Sequence, residues 1–311
     1  MKRYITSKIT SLMLLVLTTL GVINESTAQQ DSQYTMYMYN TANVNPAYAG
    51  SRETITAFLL HRSQWVGLDG APVTNNFAIN APLGDSNFGW GLSFVNDQLG
   101  PTSENEISAD LAYFIQVSDN FKLSLGLKGT ANLFKLDVNK LDIYNPLDPQ
   151  FQDMDTEFSP NIGAGLYLFS DQTYLGVSVP NVFESYHYND NNTQINKEKM
   201  HFYVIGGHVF EFSDNFKFKP AFLTKAVEGA PLQIDLTGNF LIYEKLTLGA
   251  SYRWDASISA LAGFQISDSW FIGYGYDMET TELANYNSGS HEIFLRYEFF
   301  NNNRISDPRF F

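Results

Sequence analysis

Runs of alternating apolar and polar residues constrain the fold of this chain more than any other feature. In residues 232–240, every second position from Leu232 is apolar or glycine, and the positions between are Gln, Asp, Thr and Asn. A period of two places the two sets on opposite faces of a β-strand. A charged residue in such a run needs water, so the polar face should line a wet lumen and the apolar face should meet lipid.

The same alternation recurs along the chain in runs of about 9–11 residues, the length at which a tilted strand crosses a bilayer. It predicts an all-β fold, a transmembrane antiparallel up-and-down β-barrel of about 14 strands. A soluble β-sandwich is the alternative, and it would show shorter strands with fewer inward charges. Runs 53–64 and 201–212 alternate poorly, so their faces stay unassigned. The predicted strands span 53–64, 73–82, 88–97, 104–117, 121–134, 157–169, 173–180, 201–212, 216–226, 230–242, 245–254, 257–266, 270–278 and 290–300.

The composition agrees with a membrane barrel. Aromatic residues make up 15% of the chain, whereas charged residues make up 17%, against about 25% in soluble domains. Aromatic girdles at both membrane interfaces would account for the excess. The net charge of −14 argues against nucleic acid as a partner, because phosphate needs a basic surface. The absence of cysteine excludes disulfides and thiolate chemistry.

Two kinds of connector separate the runs. Short turns built on Ser-Asp recur at 118–119, 170–171, 213–214 and 267–268, and longer polar connectors occupy 135–157, 181–200 and 279–289. Outer-membrane barrels have short periplasmic turns and longer extracellular loops. With an even number of strands, both termini are then predicted to be periplasmic, in the outer membrane of a Gram-negative cell.

The first 28 residues have the layout of a signal peptide. Lys2, Arg3 and Lys8 are followed by an apolar stretch at 9–23, and the small residues of Ser26-Thr27-Ala28 suit cleavage before Gln29. An uncleaved amino-terminal anchor is the alternative. The predicted organisation is a signal peptide at 1–28, a periplasmic or plug-like segment at 29–52, the barrel at 53–300 and a carboxy-terminal periplasmic tail at 301–311.

Charged residues at polar positions of the runs are predicted to face the lumen. A lumen open to water should also tolerate a new charge, for example at Thr237. The predicted lumen-facing charges are Lys122, Lys128, Lys217, Lys219, Asp235, Arg253, Arg296 and Glu298.

Three blocks resemble a known family. They are Asn-Pro-Ala-Tyr-Ala-Gly at 45–50, His-Arg-Ser-Gln-Trp at 61–65 and Ser-Asp-Pro-Arg-Phe-Phe at 306–311. Together they closely resemble the PorP/SprF family of type IX secretion system outer-membrane proteins of Bacteroidota-type bacteria. The resemblance implies a barrel that works with other components of that system. It would aid export or surface anchoring of a large protein with a C-terminal secretion domain, such as a gliding adhesin.

The segment before the first strand has two interpretations. Its Tyr and Met residues need cover from water, so it could form a plug on the barrel base, or it could be a surface that docks a partner. For Arg62 and Trp65 an anchor at a strand end is the simpler alternative to partner contact. The partner-binding candidates are Tyr37, Tyr39, Asn45, Pro46, Tyr48, Arg62 and Trp65.

The sequence carries no catalytic motif. Nucleophile-elbow, zinc-protease and phosphate-loop patterns are missing, so the protein is predicted not to be an enzyme. His187, His201 and His208 lack the cysteines or paired carboxylates of a metal site, so no metal or cofactor is expected. The alternative function is a porin-like channel through which small solutes diffuse past the lumen charges.

Overall fold

The computed structural model describes residues 33–141, 156–184, 186–187, 196–197, 199–299 and 309. The predicted signal peptide, residues 29–32, much of the two longest connectors and all of the tail except Arg309 lie outside the described residues.

The described chain folds into a closed antiparallel barrel, as predicted. β1 pairs with β17 along its whole length, from Ile55 opposite Phe299 to Ser63 opposite His291, which closes the sheet. β10 and β11 both pair with β12 and form one barrel strand interrupted at Val209, so the barrel has 14 strands. The strands are β1 (Ile55–Ser63), β2 (Val73–Pro82), β3 (Phe88–Leu99), β4 (Thr102–Gln116), β5 (Lys122–Leu136), β6 (Glu157–Phe169), β7 (Thr173–Val179), β8 (Tyr186–His187), β9 (Asn196–Lys197), β10 (His201–His208), β11 (Phe210–Ser213), β12 (Phe216–Val227), β13 (Gln233–Ile242), β14 (Leu246–Arg253), β15 (Ser257–Gln265), β16 (Trp270–Glu279) and β17 (Ser290–Phe299).

The barrel has two unlike ends. The Ser-Asp turns join β4 to β5, β6 to β7, β11 to β12 and β15 to β16 at one end, which we call the short-turn mouth. The connectors from β5 to β6, β7 to β10 and β16 to β17 lie at the other end, the long-loop mouth. β8 and β9 form a separate two-stranded sheet within the β7–β10 connector. Within the described residues, no helix is long and apolar enough to span a membrane.

Alternation sets the two faces of the wall. On β5, Leu125 and Leu127 are 40% and 64% exposed on the outside, whereas Ser124 before them and Lys128 after them are buried on the inside. Leu236 on β13 is exposed, and its neighbour Thr237 is buried. Apolar side chains on an outward barrel face are the arrangement that lipid requires.

The two runs that alternate poorly have inward residues that are apolar. Phe58 and Leu60 on β1, and Tyr203 and Ile205 on β10, point into the barrel and belong to one buried cluster. These strands are therefore apolar on both faces, which hides the period of two. The cluster exists because another part of the chain fills the lumen.

Candidate functional site

Residues 33–54, here called the amino-terminal segment, lie inside the barrel. The segment has three short 3₁₀ turns, Tyr37–Tyr39, Thr41–Asn43 and Pro46–Tyr48. Its Met36, Ala47 and Ala49 side chains are at most 1% exposed. The lumen is therefore not an open aqueous space at the level of this segment, and the prediction of a wet lumen is wrong there.

Three charged side chains hold the start of the segment near the long-loop mouth. Arg62 on β1 donates to Glu292 on β17 at 3.0 Å and to Asp277 on β16 at 2.7 Å. The backbone N–H groups of Thr35 and Met36 donate to the two oxygens of Glu292, at 2.9 and 2.8 Å. The Thr35 hydroxyl accepts from Arg62 at 2.9 Å and donates to Asp277 at 2.5 Å. We call Arg62, Asp277 and Glu292 the long-loop clamp.

A second ion pair holds the end of the segment at the short-turn mouth. The Arg52 guanidinium donates from Nε to Glu298 on β17 at 2.7 Å, and both side chains are buried. Glu53, the next residue, pairs with Lys122 at 2.7 Å, and both of these side chains are well exposed. Arg52 and Glu298, here called the short-turn clamp, therefore form the buried contact at this end.

Glycines on the inner wall make room for the middle of the segment. A Cβ atom added at Gly126 on β5 would overlap the backbone nitrogen of Ala47, and one at Gly165 on β6 would overlap the Asn45 side chain. One at Gly89 on β3 would overlap the carbonyl oxygen of Ala49. The block at 45–50 is thus seated in a groove that only glycine leaves open at these points.

The first residues of that block are built to turn tightly in the groove. The Asn45 Oδ1 atom accepts from the Ala47 N–H at 3.0 Å, which caps the 3₁₀ turn, and Pro46 occupies its first position. Both choices favour the start of a helical turn. The other side of the Asn45 amide donates to the Leu166 carbonyl at 3.0 Å, so one residue shapes the turn and fastens it to β6.

The tyrosines predicted to bind a partner pack inside the barrel. Tyr37 meets the hydroxyl of Thr237 at 3.1 Å, Tyr39 packs against the rings of Phe271 and Phe294, and Tyr48 meets Tyr167 edge-on. All three side chains are buried, and their contacts hold the segment in place.

The other partner-binding candidates lie in three places: the glycine groove, the long-loop clamp and the loop between β1 and β2. Asn45 and Pro46 lie in the glycine groove, and Arg62 is 2% exposed within the long-loop clamp. Arg62 is therefore not an anchor at the lipid interface. Trp65 is half-buried in the β1–β2 loop, where its Nε1 atom donates to Glu279 at 2.9 Å.

The predicted lumen charges are paired within the barrel. Lys128 lies 3.4 Å from Asp110, and Arg253 lies 2.7 Å from Asp235. Arg296 lies 3.6 Å from Glu298 in the short-turn clamp.

Two further predicted lumen charges have more exposed partners. Lys217 has a longer contact of 3.8 Å with Glu244, whereas Lys122 lies at the rim and pairs with Glu53. Pairing neutralises buried charge, so the paired side chains make contacts across the interior of the barrel as well as lining it.

Lys219 contacts both the amino-terminal segment and the carboxy-terminal tail. Its Nζ atom donates to the carbonyl of Arg309 at 3.0 Å and lies 5.5 Å from the centre of the Tyr39 ring. The guanidinium of Arg309 stacks 4.5 Å above the ring of Phe169, and the residue is 6% exposed. This part of the tail therefore lies in the barrel, near its short-turn mouth.

Two cavities lie on either side of the seated block. One of about 310 Å³ at the short-turn mouth is lined by Gly50, Glu53, Phe114 and Lys122, among others. One of about 70 Å³ towards the long-loop mouth is lined by Tyr34, Val44 and Lys128, among others. Residues 45–49, all buried, lie in the lumen between the linings of the two cavities.

Sequence reasoning missed several of these contacts. Arg52, Asp277 and Glu292 are charges at inward positions, but their partners lie more than 200 positions away in the sequence. Pairing them needs the closure and register of β1 with β17, which a single strand pattern does not specify. Within the described residues, no group of three or more His, Cys, Asp or Glu side chains is arranged to hold a metal ion.

A family model matches most of the chain. The model, described as type IX secretion system membrane protein PorP/SprF, covers residues 26–297. This range includes the groove-bound block and the long-loop clamp. No curated protein matches the chain.

The chain is similar to several solved outer-membrane structures, all at low sequence identity. Omp33 of Acinetobacter baumannii is 7% identical with a TM-score of 0.47, and covers 80% of this chain and 100% of its own. A FadL homologue of Pseudomonas aeruginosa is 13% identical with a TM-score of 0.49, and the match covers 85% of this chain and 94% of the homologue. The toluene transporter TbuX of Ralstonia pickettii is 12% identical with a TM-score of 0.48, and the match covers 82% of this chain and 92% of the transporter.

Proposed function

The chain belongs to the PorP/SprF family of type IX secretion system membrane proteins, and from this membership we propose that it aids the export or surface anchoring of a large secreted protein. The exported partner is a protein with a C-terminal secretion domain, such as a gliding adhesin. The barrel works without chemistry of its own, in contact with other components of the system and with outer-membrane lipid.

The amino-terminal segment in the lumen is the observation that favours this proposal over a diffusion channel. The amino-terminal segment is held at the long-loop mouth by hydrogen bonds from Thr35 and Met36 to Glu292, and at the short-turn mouth by the buried Arg52–Glu298 ion pair. A pore for small solutes needs a continuous passage, and an exported chain needs a wider one. In the proposed function, the exported protein is handled at the outside or the mouths of the barrel.

We assign the short-turn mouth to the periplasm and the long-loop mouth to the cell surface, as in other outer-membrane barrels. The predicted signal peptide at 1–28 would direct the chain across the inner membrane. On this assignment, Trp65 and the β1–β2 loop face the outside, and the large cavity around Glu53 and Lys122 faces the periplasm.

Export in cells tests the proposal. Deletion of the gene is expected to lower the surface level of at least one protein with the C-terminal secretion domain, and the intact chain should restore it. A chain carrying Tyr37→Ala and Tyr39→Ala should restore it poorly, because both rings hold the segment in the lumen. Lys217→Gln, which alters a long contact to an exposed carboxylate, is the matched control and should restore export.

Conductance of the purified barrel in planar bilayers separates the alternatives. The proposed function predicts a closed barrel, with heat-modifiable migration confirming that each variant is assembled. A steady conductance of the intact protein, together with unchanged export after gene deletion, would establish the channel function instead.

A further inference from the structure

The amino-terminal segment has a direction within the barrel. Gln33 donates to Gln233, the first residue of β13, at 2.6 Å, and the Tyr34 carbonyl accepts from Arg253, the last residue of β14, at 3.5 Å. Both wall residues are at the long-loop ends of their strands. The segment therefore starts at the long-loop mouth.

The same segment ends at the opposite mouth. Gly50 donates to Asn80 near the short-turn end of β2, and Arg52 binds Glu298, the penultimate residue of β17. Glu292 and Glu298 lie on one strand and bind the two ends of the segment. Six residues of extended strand span about 20 Å, so the segment crosses most of the lumen.

We propose that the chain ahead of Gln33 leaves the barrel at the long-loop mouth, so that the mature amino terminus and the carboxy-terminal end of β17 lie on opposite sides of the membrane. The inference rests on these contacts and not on the proposed function, and it holds for either orientation of the barrel. Fourteen strands alone place both ends of the barrel on one side. The threaded segment adds a further crossing and reverses that result for the amino terminus.

The exposed end is within reach of the same partners as the long loops. Cleavage after Ala28 leaves four residues before Gln33, and extended chain spans at most about 3.3–3.6 Å per residue. The long-loop clamp lies directly below this exit, since Thr35 and Met36 bind Glu292. A partner that engages the long loops therefore meets the first residues of the mature chain beside them.

The absence of cysteine in the chain allows a direct test with single-cysteine variants. Ser32→Cys reports the amino-terminal end, and Gln30→Cys repeats the measurement two residues further from the lumen. Ser288→Cys marks the long loop between β16 and β17, and Ser118→Cys marks the short turn between β4 and β5; both serines are exposed. Each full-length variant is labelled with a bulky, membrane-impermeant maleimide in intact cells and after permeabilisation of the outer membrane.

The expected result is that Ser32→Cys and Gln30→Cys follow Ser288→Cys and differ from Ser118→Cys. Labelling with the pattern of Ser118→Cys would place the amino terminus at the short-turn mouth and overturn the proposal. Labelling of both variants only after the protein is unfolded would also overturn it, because the end would then be enclosed in the lumen. Neither result would alter the export measurements that test the proposed function.

Discussion

Arg62 on β1 faces Glu292 on β17 across the seam that closes the barrel, with 3.0 Å between Nη1 and Oε2. Both side chains are buried, and both also bind Thr35 of the amino-terminal segment. One charge network therefore holds the first strand, the last strand and the segment together.

Replacing Arg62 with Met should destabilise the barrel strongly. The change leaves the buried carboxylates of Glu292 and Asp277 without their cation, and breaking a buried pair in this way costs about 3–5 kcal/mol. Equilibrium unfolding in lipid measures the loss. Lys122→Met is the control, because Lys122 and Glu53 form an exposed pair of the kind that contributes about 0–1 kcal/mol. Equal losses in the two variants would contradict a structural role for the clamp.

Gly126→Ala should displace the groove-bound block, since a Cβ atom there overlaps the backbone of Ala47. Overpacking of a tight interior costs about 1–3 kcal/mol, and an unseated segment should let ions pass. Planar-bilayer conductance measures the opening. Gly129→Ala on the same strand is the matched control, because no atom lies within 4 Å of the added Cβ. A barrel that stays closed with Ala at 126 would show that the block does not depend on this groove.

The barrel could be predicted from the sequence, because the alternation that indicates a membrane strand can be recognised within a short run of residues. Apolar and polar residues alternate along most strands, although not along β1 and β10, and residues such as Leu125 and Leu127 indicate the outward face without information from the rest of the fold. The Ser-Asp turns likewise indicate strand ends from a few adjacent residues. Pairing of the first strand with the last is expected once the strands are taken to form a closed barrel.

The content of the lumen could not be predicted in the same way. A polar inward face suits water, a channel or a polar plug equally well, and only the position of the segment distinguishes them. Tyr37 and Tyr39 gave the signal that residues 29–52 need cover, but not which surface supplies it. Their partners, Thr237 and Phe294, are some 200 or more positions away along the chain.

Lys217 and Lys219, two positions apart on β12, should respond differently to the same substitution. Lys219→Gln weakens the contacts to Arg309 and Tyr39, and hydrogen bonds to charged groups contribute about 1.5–3 kcal/mol. Lys217→Gln removes a contact of 3.8 Å to a half-exposed carboxylate, for which about 0–1 kcal/mol is expected. Unfolding in lipid compares the two, and a larger loss at Lys217 would refute this account of the tail.

Arginine substitutions at the neighbouring residues Leu236 and Thr237 should have different effects, because the two side chains lie on opposite faces of β13. Leu236 is 52% exposed on the outside, and Leu236→Arg should cost about 2–4 kcal/mol if the residue lies near the bilayer midplane. Thr237 is buried against Tyr37 and Ser251, at 3.1 Å from each hydroxyl, so it lacks the open water that would tolerate a charge. Thr237→Arg should therefore displace Tyr37 and raise the conductance of the barrel, whereas Leu236→Arg should lower its stability and leave it closed.

Both variants are measured by unfolding in lipid and by planar-bilayer recording. A closed and fully stable Thr237→Arg barrel would mean that the lumen beside Tyr37 has room for water and a long side chain, as the sequence alone suggested.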